Sequence, residues 1–384
     1  MSRIAIEHID ASAMPPAPVR ETARTLLVFW WQDMPVGQVI DEGRPGERID
    51  LERHWQAFTT SPALVRARDM AADLRRPTLD ASVVICTRDR PDVLRECLAS
   101  LVHQSYRPAE VIVVDNASVD DRTRQVAQEA GVVYVREDRP GLDIARNSGA
   151  RRARSPVIAY TDDDVRLHPR WLERLTLALE AGDAMAVTGL VLPAELETEA
   201  QILFETHWSF GQGYLPRRFD ENFFAMDRQT GSEVWTIGAG ASMAFHRRAF
   251  DIAGYFDERL DVGAAGCSGD SEYWHRILSH GGVCVYDPAA VAFHVHRREI
   301  AGLASQIYHY MRGHAAALMV QHERTGNRGN LRRAFAIMPR YYAGRVLRRL
   351  VRGTRPDNRF LRQEISGYVA GLIYYWRHRR APQP

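Results

Sequence analysis

Short apolar runs and stretches of helical periodicity alternate through the middle of the chain. The run Ser82–Thr87 is almost wholly apolar and ends in polar residues, as a buried parallel strand does. Apolar side chains then recur at helical spacing over Asp92–Gln104. The alternation continues, with strands predicted at Glu110–Val114, Val132–Val135, Val157–Tyr160 and Ala184–Thr188 and helices at Leu142–Arg152 and Pro169–Glu180. Strands and helices at this spacing predict an α/β fold with a mainly parallel central sheet.

The chain on either side of this region has a different pattern. Thr25–Trp31 and Val36–Ile40 are β-rich runs joined by a short turn, which predicts a β-hairpin. The last part of the chain is helical in pattern, with arginine-rich faces. We therefore expect a small accessory N-terminal segment at 1–78, the α/β domain at 79–300 and a helical, basic C-terminal region at 301–384.

Polar residues follow several of the predicted strands. Ligands of open α/β sheets bind beyond the carboxyl ends of the strands, so Thr87, Asp115 and Asp162–Asp164 are expected at one rim. Three consecutive carboxylates repel one another unless a cation binds between them, and a hard divalent cation there would also hold phosphate oxygens. The alternative for the triplet is a solvated acidic turn. Asp115 also has two interpretations, a contact with the base or ribose of a nucleotide and a cap for the following helix.

The sequence lacks the Gly-rich motifs that cradle phosphates. No GxGxxG follows the first strand, and no GxxxxGK[ST] occurs anywhere. Their absence argues against a dinucleotide-dependent dehydrogenase. A nucleotide bound here would need its phosphates neutralised by a metal, which the acidic triplet offers.

Two further groups of chemically capable residues lie later in the chain. Asp270 and Glu272 bracket the start of a predicted helix, where carboxylates also serve as caps. His294 and His296 flank Val295 after an apolar run, and alternate residues of a strand face one side. Both imidazoles could therefore ligate a metal, although paired histidines also occur without one.

Taken in chain order, these motifs resemble those of the family 2 glycosyltransferases of the GT-A fold, in their bacterial form. The matching segments are Ser82–Pro91, Val113–Ser118, Gly141–Gly149, Asp162–Asp164, Ala253–Glu258 and Gly269–Glu272. The sequence departs from the family pattern at one position. Gly269 stands where the family has the first acid of its Glu-Asp pair, while Asp270 aligns with the catalytic base.

The resemblance implies inverting transfer of a sugar from a nucleoside-diphosphate donor, a UDP- or dTDP-sugar, to a hydroxyl of a saccharide or lipid-linked acceptor. It implies a role in surface polysaccharide or glycolipid assembly. Asp270 is then the catalytic base, and Mn²⁺ or Mg²⁺ is held by Asp164 and Asp162, with His294 as a further ligand. The residues implied for donor binding are Thr87, Arg90, Asp115, Arg146, Asp162 and Asp163.

Two other functions fit part of the same pattern. A nucleotidyltransferase uses similar metal-binding carboxylates on an α/β sheet, but it releases pyrophosphate rather than a nucleoside diphosphate. A non-catalytic, membrane-docked scaffold of a polysaccharide assembly complex is suggested by Gly269 and by the basic C-terminal region.

The net charge of +2 hides a strong asymmetry along the chain. Residues 321–384 hold fifteen arginines and three acidic residues, a net charge of +12, so the first 320 residues carry −10. Within this basic region, Leu331–Arg352 and Gly367–Trp376 combine Tyr or Trp with apolar residues and neighbouring arginines, which favours a membrane–water interface. We expect an anionic membrane surface, and no nucleic acid, as a partner; packing of these helices on the α/β domain is the alternative.

The expected location is cytoplasmic, either free or peripheral at the inner face of the cell membrane. No secretory leader is recognisable in the sequence. The cysteines are far apart and form no CxxC pair, which favours reduced thiols.

Overall fold

The computed structural model describes residues 3–226 and 229–380. The first elements are the strands β1 (Ala5–Asp10), β2 (Arg24–Trp31) and β3 (Met34–Glu42) and the helices α1 (Leu51–Gln56) and α2 (Pro62–Ala71). The three strands form a small sheet in which β2 pairs with β1 in parallel and with β3 in antiparallel orientation. The predicted hairpin is therefore confirmed, and β1 adds a strand that the sequence pattern did not predict.

The central part of the chain alternates strands and helices. Its strands are β4 (Ala81–Thr87), β5 (Glu110–Asn116), β6 (Val133–Glu137), β7 (Val157–Asp162), β8 (Val165–Leu167), β9 (Ala184–Pro193), β10 (Arg217–Phe219), β11 (Ser242–His246) and β12 (Val283–His294). Its helices are α3 (Pro91–Leu101), α4 (Arg122–Glu129), α5 (Leu142–Arg152), α6 (Trp171–Glu180), α7 (Glu199–Trp208), α8 (Glu221–Met226), α9 (Arg248–Ala253) and α10 (Gly269–Ser279). The α/β class is confirmed, and the predicted strands and helices all occur, with both ends of α5 as predicted and the ends of the others shifted by up to five residues.

The strands form one twisted sheet, in the order β10-β12-β9-β11-β7-β4-β5-β6, with β8 pairing to β12. β4, β5, β6 and β7 are parallel to their neighbours in this group, and β9 is parallel to β12. β11 runs antiparallel to both β7 and β9. Ser242 is the first residue of β11 and pairs with Thr161, near the carboxyl end of β7. β11 therefore begins at the edge of the sheet at which β7 and β9 end, and it runs back between these two strands. The central sheet is thus mixed, with its parallel half around β4.

Helices cover both faces of the sheet, because successive side chains of a strand point to opposite sides. Val84 packs in the cluster that contains Ala145 of α5 and Trp274 of α10. Val83 and Ile85 pack in the opposite cluster, together with residues of α3, α4 and α6. Because β4 is buried on both faces, its sequence is a nearly continuous apolar run.

The C-terminal region consists of the helices α11 (Ile300–Thr325), α12 (Arg328–Arg332), α13 (Met338–Arg352) and α14 (Leu361–His378). A π-helical turn at Arg333–Ile337 joins α12 to α13. Pro339 lies in the first turn of α13, directly after the π-helical turn, and the backbone remains helical on both sides of that turn. Within 3–226 and 229–380, no helix has the length and hydropathy needed to cross a bilayer.

Close packing and a buried ion-pair network fix this region to the α/β domain. A Cβ on Gly367 or Gly371 of α14 would lie within 2.2 Å of a backbone oxygen of α11, so the two helices are in near-backbone contact there. Asp257 is fully buried and accepts 2.8 Å hydrogen bonds from Arg259 and from Arg324 of α11. The buried faces of these helices therefore pack on the α/β domain. For these faces, packing rather than membrane contact is the interpretation that holds.

Candidate functional site

The carboxyl ends of β4 and β7 bring Thr87, Arg90 and the acidic triplet together. The Thr87 Oγ1 hydroxyl donates a 2.7 Å hydrogen bond to Asp163 Oδ2. Arg90 follows β4 and donates to Asp163 Oδ1 at 2.5 Å and to Asp164 Oδ2 at 2.9 Å. Because β4 and β7 are adjacent parallel strands, residues 75 positions apart in sequence share one rim of the sheet.

Asp162, Asp164 and His294 form a group that could hold a metal ion, and their ligand atoms lie within 4.8 Å of one another. The pairing of β8 with β12 produces this approach, since His294 is opposite Val165 in that ladder. His294 Nε2 lies 3.4 Å from Asp164 Oδ1. The two carboxylates are suitable ligands for Mn²⁺ or Mg²⁺, whereas an imidazole is a poorer ligand for Mg²⁺, which prefers oxygen.

A chain of hydrogen bonds behind His294 orients its ring. His296 Nε2 lies 3.1 Å from Glu205 Oε2, and His296 Nδ1 lies 2.9 Å from His294 Nδ1. Both contacts are satisfied when His296 donates to Glu205 and His294 donates to His296. His294 Nε2 is then the unprotonated nitrogen and directs its lone pair to Asp164, as a metal-binding histidine requires.

Burial perturbs the titration of this group. It raises the pKa of Asp162 to about 7, with a further rise from the Asp164 charge. It raises the pKa of Asp163 to about 6 against the opposing effect of Arg90. Burial works in the same direction on Asp164, but the neighbouring His294 ring and Arg90 outweigh it and lower its pKa. Burial lowers the pKa of His294 to about 4, which leaves a neutral imidazole at pH 7. Crowded acids with raised pKa values are typical of a site built for a cation.

Asp115 lies at the same edge of the sheet, at the end of β5, but its carboxylate already has internal partners. Its side chain is fully buried. Asp115 Oδ2 accepts hydrogen bonds from Tyr134 at 2.7 Å and Arg136 at 3.0 Å, and Oδ1 accepts from the Ser118 backbone at 3.2 Å. Asn116, the last residue of β5, lines a large cleft at this edge of the sheet.

Asp270 lies at the start of α10 within a buried network centred on Arg146. Arg146 donates to Asp143 Oδ1 at 3.1 Å and to Asp261 Oδ2 at 2.6 Å. A Cβ on Gly240 would lie 2.7 Å from Arg146 Nη2 and 2.9 Å from Asp270 Oδ2, so the guanidinium and the Asp270 carboxylate converge on that glycine. Burial raises the pKa of Asp270, partly offset by the Arg146 charge. The structure thus groups Arg146 with Asp270 rather than with the triplet.

One cleft of about 2510 Å³ joins these groups. The acidic triplet, His294 and Asp270 line its inner part, and α11, α13 and α14 form its outer wall. The residues of these helices that reach the cleft include Tyr308, Met311, Tyr341, Arg348, Ile373 and Arg377.

The sequence pattern did not indicate Glu205, Asp143 or Asp261 as parts of these networks. Each is an acid whose partner is distant in sequence, except that Asp143 precedes Arg146 by one helical turn. That (i, i+3) spacing was the one local feature of the sequence that could have indicated an ion pair in these networks.

Comparison with known proteins agrees with the family resemblance. Residues 82–252 match the family described as "Glycosyl transferase family 2". This segment contains β4 through β11, including the acidic triplet, whereas Asp270 and His294 lie beyond its end. The match covers less than half of the chain, and it makes residues 82–252 similar to family 2 glycosyl transferases.

Named relatives align over parts of the chain. A "Glucosyl-dolichyl phosphate glucuronosyltransferase" of Haloferax volcanii is 27% identical over 187 residues, 46% of this chain and 56% of that protein. A "Validoxylamine A glucosyltransferase" of Streptomyces hygroscopicus subsp. limoneus is 36% identical over 142 residues, 34% of this chain and 31% of that protein. The relatives include archaeal and bacterial proteins, so they do not single out a bacterial type.

A solved structure of glucosyl-3-phosphoglycerate synthase from Mycobacterium tuberculosis, in complex with Mn²⁺ and uridine diphosphate, aligns with a TM-score of 0.45 at 16% identity. The alignment covers 64% of this chain and 80% of that one. The chain spans about half the length of the archaeal relative and less of the Streptomyces one.

Proposed function

We propose that this chain is an inverting, metal-dependent glycosyltransferase that moves a sugar from a UDP- or dTDP-sugar to an acceptor hydroxyl. The observation that carries the proposal is the shared cleft, which is lined both by the metal-capable group Asp162, Asp164 and His294 and by the half-buried carboxylate of Asp270. A cation site for a diphosphate and a base for a hydroxyl are the two requirements of this reaction.

At the donor end, Asp164, Asp162 and His294 would hold Mn²⁺ or Mg²⁺. When bound, such a cation offsets the negative charge that develops on the departing nucleoside diphosphate. Thr87 and Arg90 lie at the same rim and are assigned to the diphosphate, with Asp163 holding both of them in place. Asp115 is assigned to the base and ribose end, where it fixes Tyr134 and Arg136.

At the acceptor end, Asp270 takes the proton from the attacking hydroxyl. Its raised pKa makes the carboxylate a stronger base than a solvated aspartate. Arg146 keeps the Asp270 carboxylate oriented through their approach at Gly240. Direct attack by the acceptor on the face opposite the leaving group inverts the anomeric carbon.

The outer wall of the cleft supports a lipid-linked acceptor and peripheral membrane attachment. α13 exposes apolar side chains among arginines; Leu347, Leu350 and Val351 are 62%, 78% and 75% exposed. Arg348, on the same helix, reaches the cleft. An acceptor with an apolar chain can thus lie along this helix while its sugar approaches Asp270. The archaeal relative is named "Glucosyl-dolichyl phosphate glucuronosyltransferase". We place the protein at the cytoplasmic face of the membrane, in surface polysaccharide or glycolipid assembly.

A thermal-shift screen of nucleoside diphosphates with and without Mn²⁺ tests the donor half of the proposal. UDP or dTDP should raise the unfolding temperature only when Mn²⁺ or Mg²⁺ is present. Incubation with UDP- and dTDP-sugars should then release nucleoside diphosphate. Release of pyrophosphate identifies a nucleotidyltransferase instead. No stabilisation and no release from any donor contradict the proposal and favour the scaffold.

A further inference from the structure

Position 269, next to Asp270 at the start of α10, has no side chain because another residue's carboxylate fills the space. A Cβ on Gly269 would lie 1.9 Å from Asp143 Oδ2 and 2.5 Å from Asp143 Cγ. Gly269 belongs to the helix itself, so its backbone does not require glycine. The carboxylate of Asp143, on α5, is what excludes a larger residue.

Asp143 is itself an unusual buried acid. It is 1% exposed, and its Oδ2 atom has no hydrogen-bond partner within 3–226 and 229–380. A buried carboxylate oxygen without a partner costs stability and is uncommon in folded proteins. Its other oxygen accepts from Arg146 Nη1. The residue is therefore not explained by a closed structural ion pair.

Arg146 links this carboxylate to Asp270. Its guanidinium contacts Asp143 and Asp261 through Nη1, and Nη2 turns to the point near Gly240 that Asp270 Oδ2 also approaches. Three carboxylates thus surround one arginine at the inner end of the cleft. Removal of Asp143 takes away one of the two acids that hold Nη1 in place.

We propose that Asp143 is a positioning residue for Asp270 and that it supplies from α5 the acidic group that position 269 would otherwise supply from α10. The inference rests on the proposed function, in which Asp270 is the base. Asp143 holds Arg146, and Arg146 holds the Asp270 carboxylate in the orientation that accepts the hydroxyl proton. On this proposal, one acidic group is needed in this space, and it can come either from position 143 or from position 269.

Moving the acid from one position to the other tests this exchange. Four full-length proteins are compared: the wild type, Asp143→Ala, Gly269→Asp and the double variant. The readout is nucleoside diphosphate release from the UDP- or dTDP-sugar that the wild type uses, with Mn²⁺, as separate kcat and KM values. Displacement of a reacting group by about 1 Å costs on the order of 100-fold. Asp143→Ala should therefore lower kcat 10- to 100-fold while the donor KM changes less than about twofold.

Gly269→Asp should also be impaired, because two carboxylates then compete for one volume. The double variant should recover kcat to within about fivefold of the wild type, because the acid is restored at the same place. Asp251→Ala, at an exposed position of α9, is the matched control and should behave as the wild type. Thermal unfolding of all five proteins verifies that each is folded.

The outcomes separate the two proposals. Wild-type kcat in Asp143→Ala, or a double variant no better than the worse single variant, overturns the positioning role while the proposed function stands. Absence of release by the wild type from every donor overturns the proposed function and this inference with it.

Discussion

The Thr87 hydroxyl donates a 2.7 Å hydrogen bond to Asp163, the central acid of the triplet. With Arg90 on its other oxygen, Asp163 is engaged in joining the ends of β4 and β7. The outer acids, Asp162 and Asp164, are the ones grouped with His294. Three adjacent residues of the same type thus have different partners, which leads to the first prediction.

Asp164→Asn should weaken Mn²⁺ binding at least about 100-fold, because one of the two carboxylates in the group loses its charge. Asp163→Asn is the matched variant and should keep Mn²⁺ binding within about fivefold, while weakening nucleotide binding. Titration of Mn²⁺ by calorimetry, followed by UDP, measures both effects. Equal loss of Mn²⁺ affinity in the two variants would show that the triplet acts as one undivided site.

The hydrogen-bond chain behind His294 predicts a second effect on the metal. Glu205→Gln or His296→Ala should reduce Mn²⁺ affinity about 10- to 100-fold, since the ring of His294 loses its tautomer and orientation. His280→Gln, at an exposed position on the far end of α10, is the control and should have no effect. Wild-type affinity in both variants contradicts the orienting role of the chain.

Asp270→Asn should abolish turnover while donor binding persists. A general base contributes about 10²- to 10⁴-fold, and the amide cannot accept the hydroxyl proton. The thermal shift with Mn²⁺ and UDP should remain that of the wild type. Turnover at the wild-type rate would mean that Asp270 is not the base, and loss of the shift would instead place it at the donor.

We predict that the proposed membrane attachment depends on the exposed face of α13. A variant with Leu347, Leu350 and Val351 changed to Ser should lose co-sedimentation with anionic vesicles, and Arg348→Gln should weaken it by about 1 kcal/mol. The control is Leu74→Ser, which removes an apolar side chain that is 88% exposed elsewhere on the protein. Binding of the wild type should fall as salt is added. No binding at low salt excludes the attachment.

Stability should depend on pH through His275, which is buried against Phe224. Burial lowers the pKa of His275 to about 3, whereas in the unfolded chain the value is about 6.5. Between these values the unfolded state binds a proton that the folded state does not, so stability falls as the pH drops below 6.5. The loss is at most about 1.4 kcal/mol per pH unit.

Urea unfolding at pH 7 and pH 5 measures this effect. The wild type should lose about 2 kcal/mol more than His275→Gln over that interval. The comparison cancels the contribution of the carboxylates, which titrate in both proteins. The same loss in both would mean that His275 takes up its proton without unfolding.

The sequence alone determined the α/β class, the strand ends that carry Thr87 and Asp162–Asp164, and the N-terminal hairpin. These features are local, because the period of the apolar positions and the polar residue after a strand are written in consecutive residues. Helix α5 was predicted with both of its ends correct, since Gly141 and the Ala153-to-Pro156 stretch mark them.

Only the tertiary structure decided which side chains meet. Glu205 reaches His296, and Asp143 reaches Gly269, across more than 90 positions of sequence. The antiparallel insertion of β11 also depends on pairing partners that no local pattern specifies. Contacts of this kind follow from packing of whole elements against one another, so neither residue type nor spacing encodes them. In the same way, the sequence shows only that position 269 has no side chain, whereas the folded chain shows that the Asp143 carboxylate lies in the space beside it.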